Sequence, residues 1–233
     1  MMNIFGNTRS ARHSDHLLQT PDTFVRAPLP GMRGATAIVH AAPALGAKFT
    51  LYTAEFEPGG TLAPARDQWL VYVLSGEING LNEGEYAWFP PASNGELRAG
   101  STARAAVIEK PYQALNDVAI PGSFQGSEGK IAPVCLMGDP DLEVRGLLPS
   151  DIGFDMAVNT MTFRPGATLP MVEIHVMEHG LLMLAGAGIY RLGDHWYPVS
   201  AGDFIWMAPY LPQWFGALGK TPAKYLIYKD WNR

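Results

Sequence analysis

An internal repeat constrains this chain more than any other feature. Residues 58–91 contain PGGTLAP, WLVYVLSGEI and GEYAWFPP; residues 165–209 contain PGATLPM, LLMLAGAGIY and GDFIWMAP in the same order. Gly84 matches Gly202, Trp88 matches Trp206 and Pro91 matches Pro209. Further on, AVIEKPY at 106–112 matches YLIYKDW at 225–231, pairing Lys110 with Lys229. Four matches in register imply a duplicated unit, and 233 residues have room for two small domains.

Each repeat reads as strands. FTLYTAEF at 49–56 and MAVNTMTF at 156–163 are rich in residues that suit a pleated sheet. Each is followed by a Pro-Gly turn, Pro58-Gly59 or Pro165-Gly166. An apolar strand then ends in a Gly-rich hairpin at Ser75-Gly76 or Gly186-Ala187-Gly188. Gly84-Glu85 and Gly202-Asp203 open a further strand that stops at proline. Short strands at regular spacing predict an all-β chain of sandwich or barrel type. The expected division is a loose N-terminal arm over 1–25, a first barrel over 26–110, a Pro/Gly/Ser/Asp-rich linker over 111–150 and a second barrel over 151–233.

Bulk chemistry excludes several partners. Apolar residues at 47% supply a core, and a net charge of -5 without a Lys/Arg cluster argues against nucleic acid and anionic membrane. The longest apolar stretch, Leu181 to Tyr190, is too short to span a bilayer. The N-terminal residues lack a signal-peptide pattern, so a soluble, cytoplasmic protein is expected. The single cysteine, Cys135, cannot form an internal disulfide and is expected to be a buried, inert thiol.

The chemistry concentrates in Glu173-Ile174-His175-Val176-Met177-Glu178-His179. On a strand, Glu173, His175 and His179 share a face, and Glu178 does not. Burying an unpaired carboxylate costs several kcal/mol or more, and a divalent metal held by the three groups would relieve that. Gln213, in a two-proline turn beside aromatics, is a candidate fourth ligand through its amide oxygen. The first repeat has no histidine in the equivalent stretch and has Gly95 where Gln213 stands, so its role is expected to be structural. His195 is expected in an exposed hairpin loop, and His13, His16 and His40 receive no role.

These residues resemble the cupin superfamily, whose first motif runs Gly, spacer, His-x-His, Glu, Gly. Here Gly166 opens the motif, Glu173-x-His175 replaces His-x-His, His179 replaces Glu and Gly186 closes it. Gly202-Asp203, Pro209 and Gln213 stand for the second motif, with Gln in place of His. The exchanged ligand set is similar to that of the (S)-ureidoglycine aminohydrolases, bicupins of the ureide branch of purine breakdown. The likeness is densest over Leu148–Arg233, in LPSDIGFDM, FRPGATLP, VEIHVMEHG, GIYRLGDHWYPV, GDFIWM and YLIYKDWNR.

The resemblance implies two tandem jelly-roll barrels and an Mn²⁺-dependent hydrolase, likewise a homo-oligomer. Its reaction takes (S)-ureidoglycine and water to (S)-ureidoglycolate and ammonia. It places the metal on Glu173, His175, His179 and Gln213, and substrate contacts on Tyr190, Tyr225 and Lys229. The leaving amine needs a proton, for which Glu173 and Lys229 are both candidates. Tyr225 and Lys229 share a strand face that Tyr228 does not, while the match of Lys229 to Lys110 leaves a structural role for that lysine open. Two other readings fit the same residues: a different metal-dependent cupin enzyme, such as a dioxygenase or isomerase, and a non-enzymatic small-ligand-binding cupin.

Overall fold

The computed structural model describes residues 7–230. The ends of the expected arm and of the second barrel, residues 1–6 and 231–233, lie outside them. The described chain is built from strands joined by turns and three-residue 3-10 segments, with no α-helix. Among the described residues, no helix is long and apolar enough to cross a membrane. The chain forms two compact units. One holds Val25–Pro133, Arg145–Asn159 and Asp230; the other holds Val134–Val144, Thr160–Lys229 and the described part of Met1–Phe24.

In the first unit the main sheet runs Phe124–Ser127, Glu85–Phe89, Gln68–Ser75, Ala103–Lys110, Thr50–Leu62, Met32–Ala41 and Arg26–Ala27. Its core is drawn from alternate positions: Trp69, Val71 and Val73 on one strand, Ala103, Ala105 and Val107 on the next. The second unit has an eight-stranded sheet in the order Ala11–Arg12, His16–Gln19, Phe204–Met207, His179–Ala185, Ala223–Lys229, Ala157–Phe163, Leu142–Gly146 and Val134–Cys135. A three-stranded sheet of His195–Ser200, Ala187–Leu192 and Gln213–Leu218 completes it. Leu181, Met183, Ala223, Tyr225, Ile227 and Phe215 belong to one buried cluster, as period-two burial requires.

The repeat is visible in the backbone. Gly76 and Gly186 both have positive φ, 76° and 69°. A Cβ at Gly76 would lie 2.3 Å from the carbonyl oxygen of Thr102, and one at Gly186 would lie 2.4 Å from that of Pro222. The turn that closes each motif therefore presses against the chain entering the last strand, and only glycine fits both the dihedral and the gap.

Three expectations need correction. The first residues are not a loose arm, because Ala11–Arg12 and His16–Gln19 form a hairpin paired to Phe204–Met207. Leu18 is fully buried in the core of the second unit, and Arg9 makes a two-pronged ion pair with buried Asp203 at 2.7 and 2.9 Å. Residues 111–150 are not a plain linker either. Phe124–Ser127 extends the first sheet, and Val134–Cys135 and Leu142–Gly146 extend the second, so the two units interleave in sequence. Cys135, at the sheet edge, is exposed rather than buried.

Candidate active site

All seven residues singled out for chemistry line one cavity of about 150 Å³ in the second unit: Glu173, His175, His179, Tyr190, Gln213, Tyr225 and Lys229. The rest of its wall is apolar: Leu136, Val144, Met161 and Ile227.

Their positions follow from local pairing. Glu173 and Gln213 form a two-bond antiparallel bridge, Glu173 N to Gln213 O at 2.8 Å and Gln213 N to Glu173 O at 2.9 Å. That bridge sets a carboxylate and an amide side by side. The two-proline turn before Gln213 is fastened by Tyr210, whose N–H donates to the His175 carbonyl at 2.6 Å. Tyr210 adopts φ of 64°, a conformation a non-glycine residue holds only when its surroundings fix it. His179 opens the strand His179–Ala185 opposite Met207 on one side and Lys229 on the other. Tyr225 and Lys229 share a face of Ala223–Lys229, and Tyr228, of opposite parity, is not in the cavity wall. Glu178 also faces away, accepting a hydrogen bond from the Trp206 indole at 2.9 Å.

The segment carrying Glu173 and His175 is not the strand expected from its parity. Between the bridge at Glu173 and the strand at His179 the chain bends. Ile174 and Val176 are 60% and 52% exposed, so they point to solvent instead of packing inside a barrel. Two consecutive bends release this stretch from sheet pairing, and the side chains expected to ligate converge through a loop.

Burial keeps the His179 imidazole and the Tyr190 and Tyr225 phenols neutral. His179 is held down to about 3 by burial, with His175 and Lys229 adding to the effect. Neither of its ring nitrogens has a well-formed hydrogen bond, although the backbone at Glu178 and Tyr228 lies close enough to favour a ring proton slightly. His175 Nε2 lies 3.1 Å from Glu173 Oε2. Tyr190 donates toward the Gln213 amide oxygen at 3.4 Å. Burial, then the Glu173 charge, raises the Tyr190 phenol; burial, Tyr190 and Glu173 raise that of Tyr225. Burial lowers the Lys229 ammonium, offset in part by Glu173. One carboxylate, two imidazoles and one amide, with two orphaned nitrogens on a buried histidine, suit a borderline-hard divalent metal.

The equivalent positions of the first barrel carry different residues. Lys229 faces His179 across its strand pair, and there Glu109 faces Trp69. Met207 faces His179, and Phe89 faces Trp69. Trp69 therefore occupies the position of His179, stacked on Phe89 with ring centroids 4.9 Å apart. Glu109 occupies that of Lys229 and accepts a 2.6 Å hydrogen bond from the Tyr52 hydroxyl. The alignment of Lys110 with Lys229 is thus one residue out, and a slip of one moves a side chain to the opposite face. Lys110 points the other way, onto Asp155 at 2.9 Å. The objection that a matching lysine exists without a metal site falls.

Sequence reasoning assigned nothing to His13, His16 and His195, yet among the described residues these three each place one possible ligand atom within 4.8 Å of the others. His195 is exposed, as expected. The available signal was the His13-x-x-His16 spacing; the third member arrives only through tertiary pairing.

Comparison with known proteins places these features. Residues 159–228 match the Cupin domain family model. The chain is 38% identical to an (S)-ureidoglycine aminohydrolase of Arabidopsis thaliana, an alignment covering 100% of this chain and 81% of that one. It is 30% identical to the (S)-ureidoglycine aminohydrolase of Escherichia coli strain K12, covering 99% and 94%. Among solved structures, a Pseudomonas aeruginosa protein described as glyoxylate-induced superposes with a TM-score of 0.89 at 31% identity, covering 97% of this chain and 92% of that one. The Bacillus subtilis oxalate decarboxylase, a protein with Mn(II) centres, shares the fold with a TM-score of 0.75 at 12% identity, covering 100% and 84%.

Proposed function

The chain belongs to the (S)-ureidoglycine aminohydrolase family of cupins, and from that premise we propose that it hydrolyses (S)-ureidoglycine to (S)-ureidoglycolate and ammonia with Mn²⁺ as its metal, in ureide breakdown. The observation that carries this reading is the convergence of Glu173, His175, His179, Gln213, Tyr190, Tyr225 and Lys229 on one cavity.

Glu173, His175, His179 and Gln213 would hold the ion. When bound, it supplies Lewis acidity beside the reacting carbon and charge that the substrate carboxylate can meet. The chain's own residues do the remainder. Lys229 pairs with a substrate anion or ureido oxygen from the cavity wall. Tyr190 and Tyr225, kept protonated by burial, donate hydrogen bonds that orient the ureido group. The apolar wall limits the water that reaches the reacting carbon. The carbon–nitrogen bond to the amine breaks, water supplies the hydroxyl that replaces it, and the departing nitrogen takes up a proton. Lys229 is suited to deliver that proton because burial weakens its hold on it. Glu173 is the alternative proton shuttle.

The test is ammonia release from freshly prepared (S)-ureidoglycine, above its spontaneous decay, by metal-stripped protein with and without Mn²⁺. Mn²⁺-dependent release with ureidoglycolate as product is expected. Release at the background rate from protein with metal bound would refute the activity. Equal release without metal would refute the cofactor.

A further inference from the structure

His13, His16 and His195 lie in the second unit, outside the wall of the catalytic cavity. His13 and His16 sit at the ends of the tight turn between Ala11–Arg12 and His16–Gln19, closed by His13 N to His16 O at 2.8 Å. His195 opens the strand His195–Ser200. The ring of His13 lies 4.4 Å from that of His16 and 4.2 Å from that of His195.

The buried member has its tautomer set by its neighbours, and an ion taken up there would displace the Tyr197 hydroxyl from it. His16 is 1% exposed, and its two nitrogens have different partners. Nδ1 meets Asp15 Oδ1 at 2.8 Å and Nε2 meets the Tyr197 hydroxyl at 2.8 Å. A carboxylate can only accept at Nδ1, so the proton resides there and Nε2 offers its lone pair, now receiving the tyrosine O–H. A carboxylate behind an imidazole is the arrangement that fixes tautomer and ring direction in metal-bound histidines. His13 is half-buried and His195 exposed, so an ion has an open side by which to enter.

We propose that His13, His16 and His195 form a second metal site, for a late first-row divalent cation of the Zn²⁺ class, held by three imidazoles with Asp15 behind His16. Three nitrogen donors without a carboxylate in the inner set favour such an ion over Mn²⁺. Metal–nitrogen bonds of about 2.0–2.1 Å require the nitrogens to draw closer than the 4.8 Å limit they meet now, and the less buried His13 and His195 have freedom to turn inward. The ion would tie the N-terminal hairpin to the strand His195–Ser200.

The test uses the full chain, stripped of metal, with Zn²⁺ as the probe. Glu173→Ala and His179→Ala are introduced together so that the cavity does not compete. One Zn²⁺ per chain is expected to bind this variant, measured by calorimetry and elemental analysis. Adding His13→Ala and His195→Ala should weaken that binding at least tenfold. His16 is left alone because it is buried, and circular dichroism checks that each variant is folded. The wild-type cavity supplies a second test: His13→Ala with His195→Ala should lower Zn²⁺ capacity by one per chain and leave Mn²⁺ uptake unchanged. Zn²⁺ binding that is absent from the cavity variant, or indifferent to His13 and His195, would overturn the proposal.

Discussion

Replacing His179 with leucine should raise stability without metal, and metal should cancel or reverse that gain. A neutral imidazole carries one donor and one acceptor, and at His179 both lie buried without a well-formed partner. An unsatisfied buried polar group costs about 1–3 kcal/mol, and the adjoining cavity can admit water that recovers part of this. Leucine has a similar volume and no polar atom. In chelator, His179→Leu should therefore be more stable than the parent by about 1–3 kcal/mol. With free Mn²⁺ at a hundred times its Kd, the parent gains about 2.7 kcal/mol and the variant gains nothing. The order of stabilities then reverses or closes. Burial holds His179 down to about 3, so the ring is neutral at neutral pH and its charge does not confuse the comparison. Urea unfolding in chelator and in Mn²⁺, with the slope checked for constancy, provides the measurement. A variant less stable than the parent in chelator would refute the orphaned-nitrogen argument. Equal stabilisation of both proteins by Mn²⁺ would refute His179 as a ligand.

Three more outcomes follow from the same geometry. Lys229→Met should keep its metal by elemental analysis and lose about 100-fold or more in kcat/KM; an active variant would return Lys229 to a packing role. Asp155→Ala removes the acceptor of Lys110, of the Gln113 backbone N–H and of Gln68, and should cost about 3 kcal/mol in urea unfolding, toward the low end for a broken buried pair because Asp230 remains 3.3 Å from Lys110. A cost below about 1 kcal/mol would mean the pair is not desolvated as its burial suggests. His40, in contact with Thr53 at 2.9 Å, is lowered from 6.5 to about 3, mainly by burial and also by Arg104. The unfolded chain then takes up the proton first, so stability falls as pH drops from 6.5 toward 3, by up to about 1.4 kcal/mol per pH unit. His40→Gln should flatten the urea midpoint against pH across that window, and an unchanged slope would refute the assignment.

The residues that line the candidate site were legible because their types are costly anywhere else. A carboxylate, two histidines and a glutamine within an otherwise apolar repeat have few reasons to be there. Their route to the cavity was not legible. Parity placed Glu173 and His175 on a strand, whereas a bridge to Gln213 and two bends bring them together. The lysine pairing failed for a related reason. Matching identical letters aligned Lys110 with Lys229, but the ladder aligns Glu109 with it, and sequence identity carries no direct information about face. The N-terminal strands were missed because two- and four-residue strands lack a period long enough to read. The histidine triad was missed because its third member comes from a distant hairpin.

One backbone plan has yielded two interiors, and the exchange is not made by one residue. At the paired positions, tryptophan faces glutamate and phenylalanine in the first barrel, where histidine faces lysine and methionine in the second. The aromatic solution fills space, and Gly95 completes it, since a Cβ there would meet the Phe89 ring at 2.7 Å. The polar solution leaves a cavity and orphaned nitrogens, acceptable only if something else occupies them. Converting Trp69 to histidine would supply one imidazole and a hole. It would not supply the neighbouring carboxylate and amide, which depend on the bridge between Glu173 and Gln213 and on the turn fastened at Tyr210. The proposed metal-binding capacity therefore rests as much on the loop from 173 to 178 and the turn from 208 to 213 as on the strands that carry His179 and Lys229.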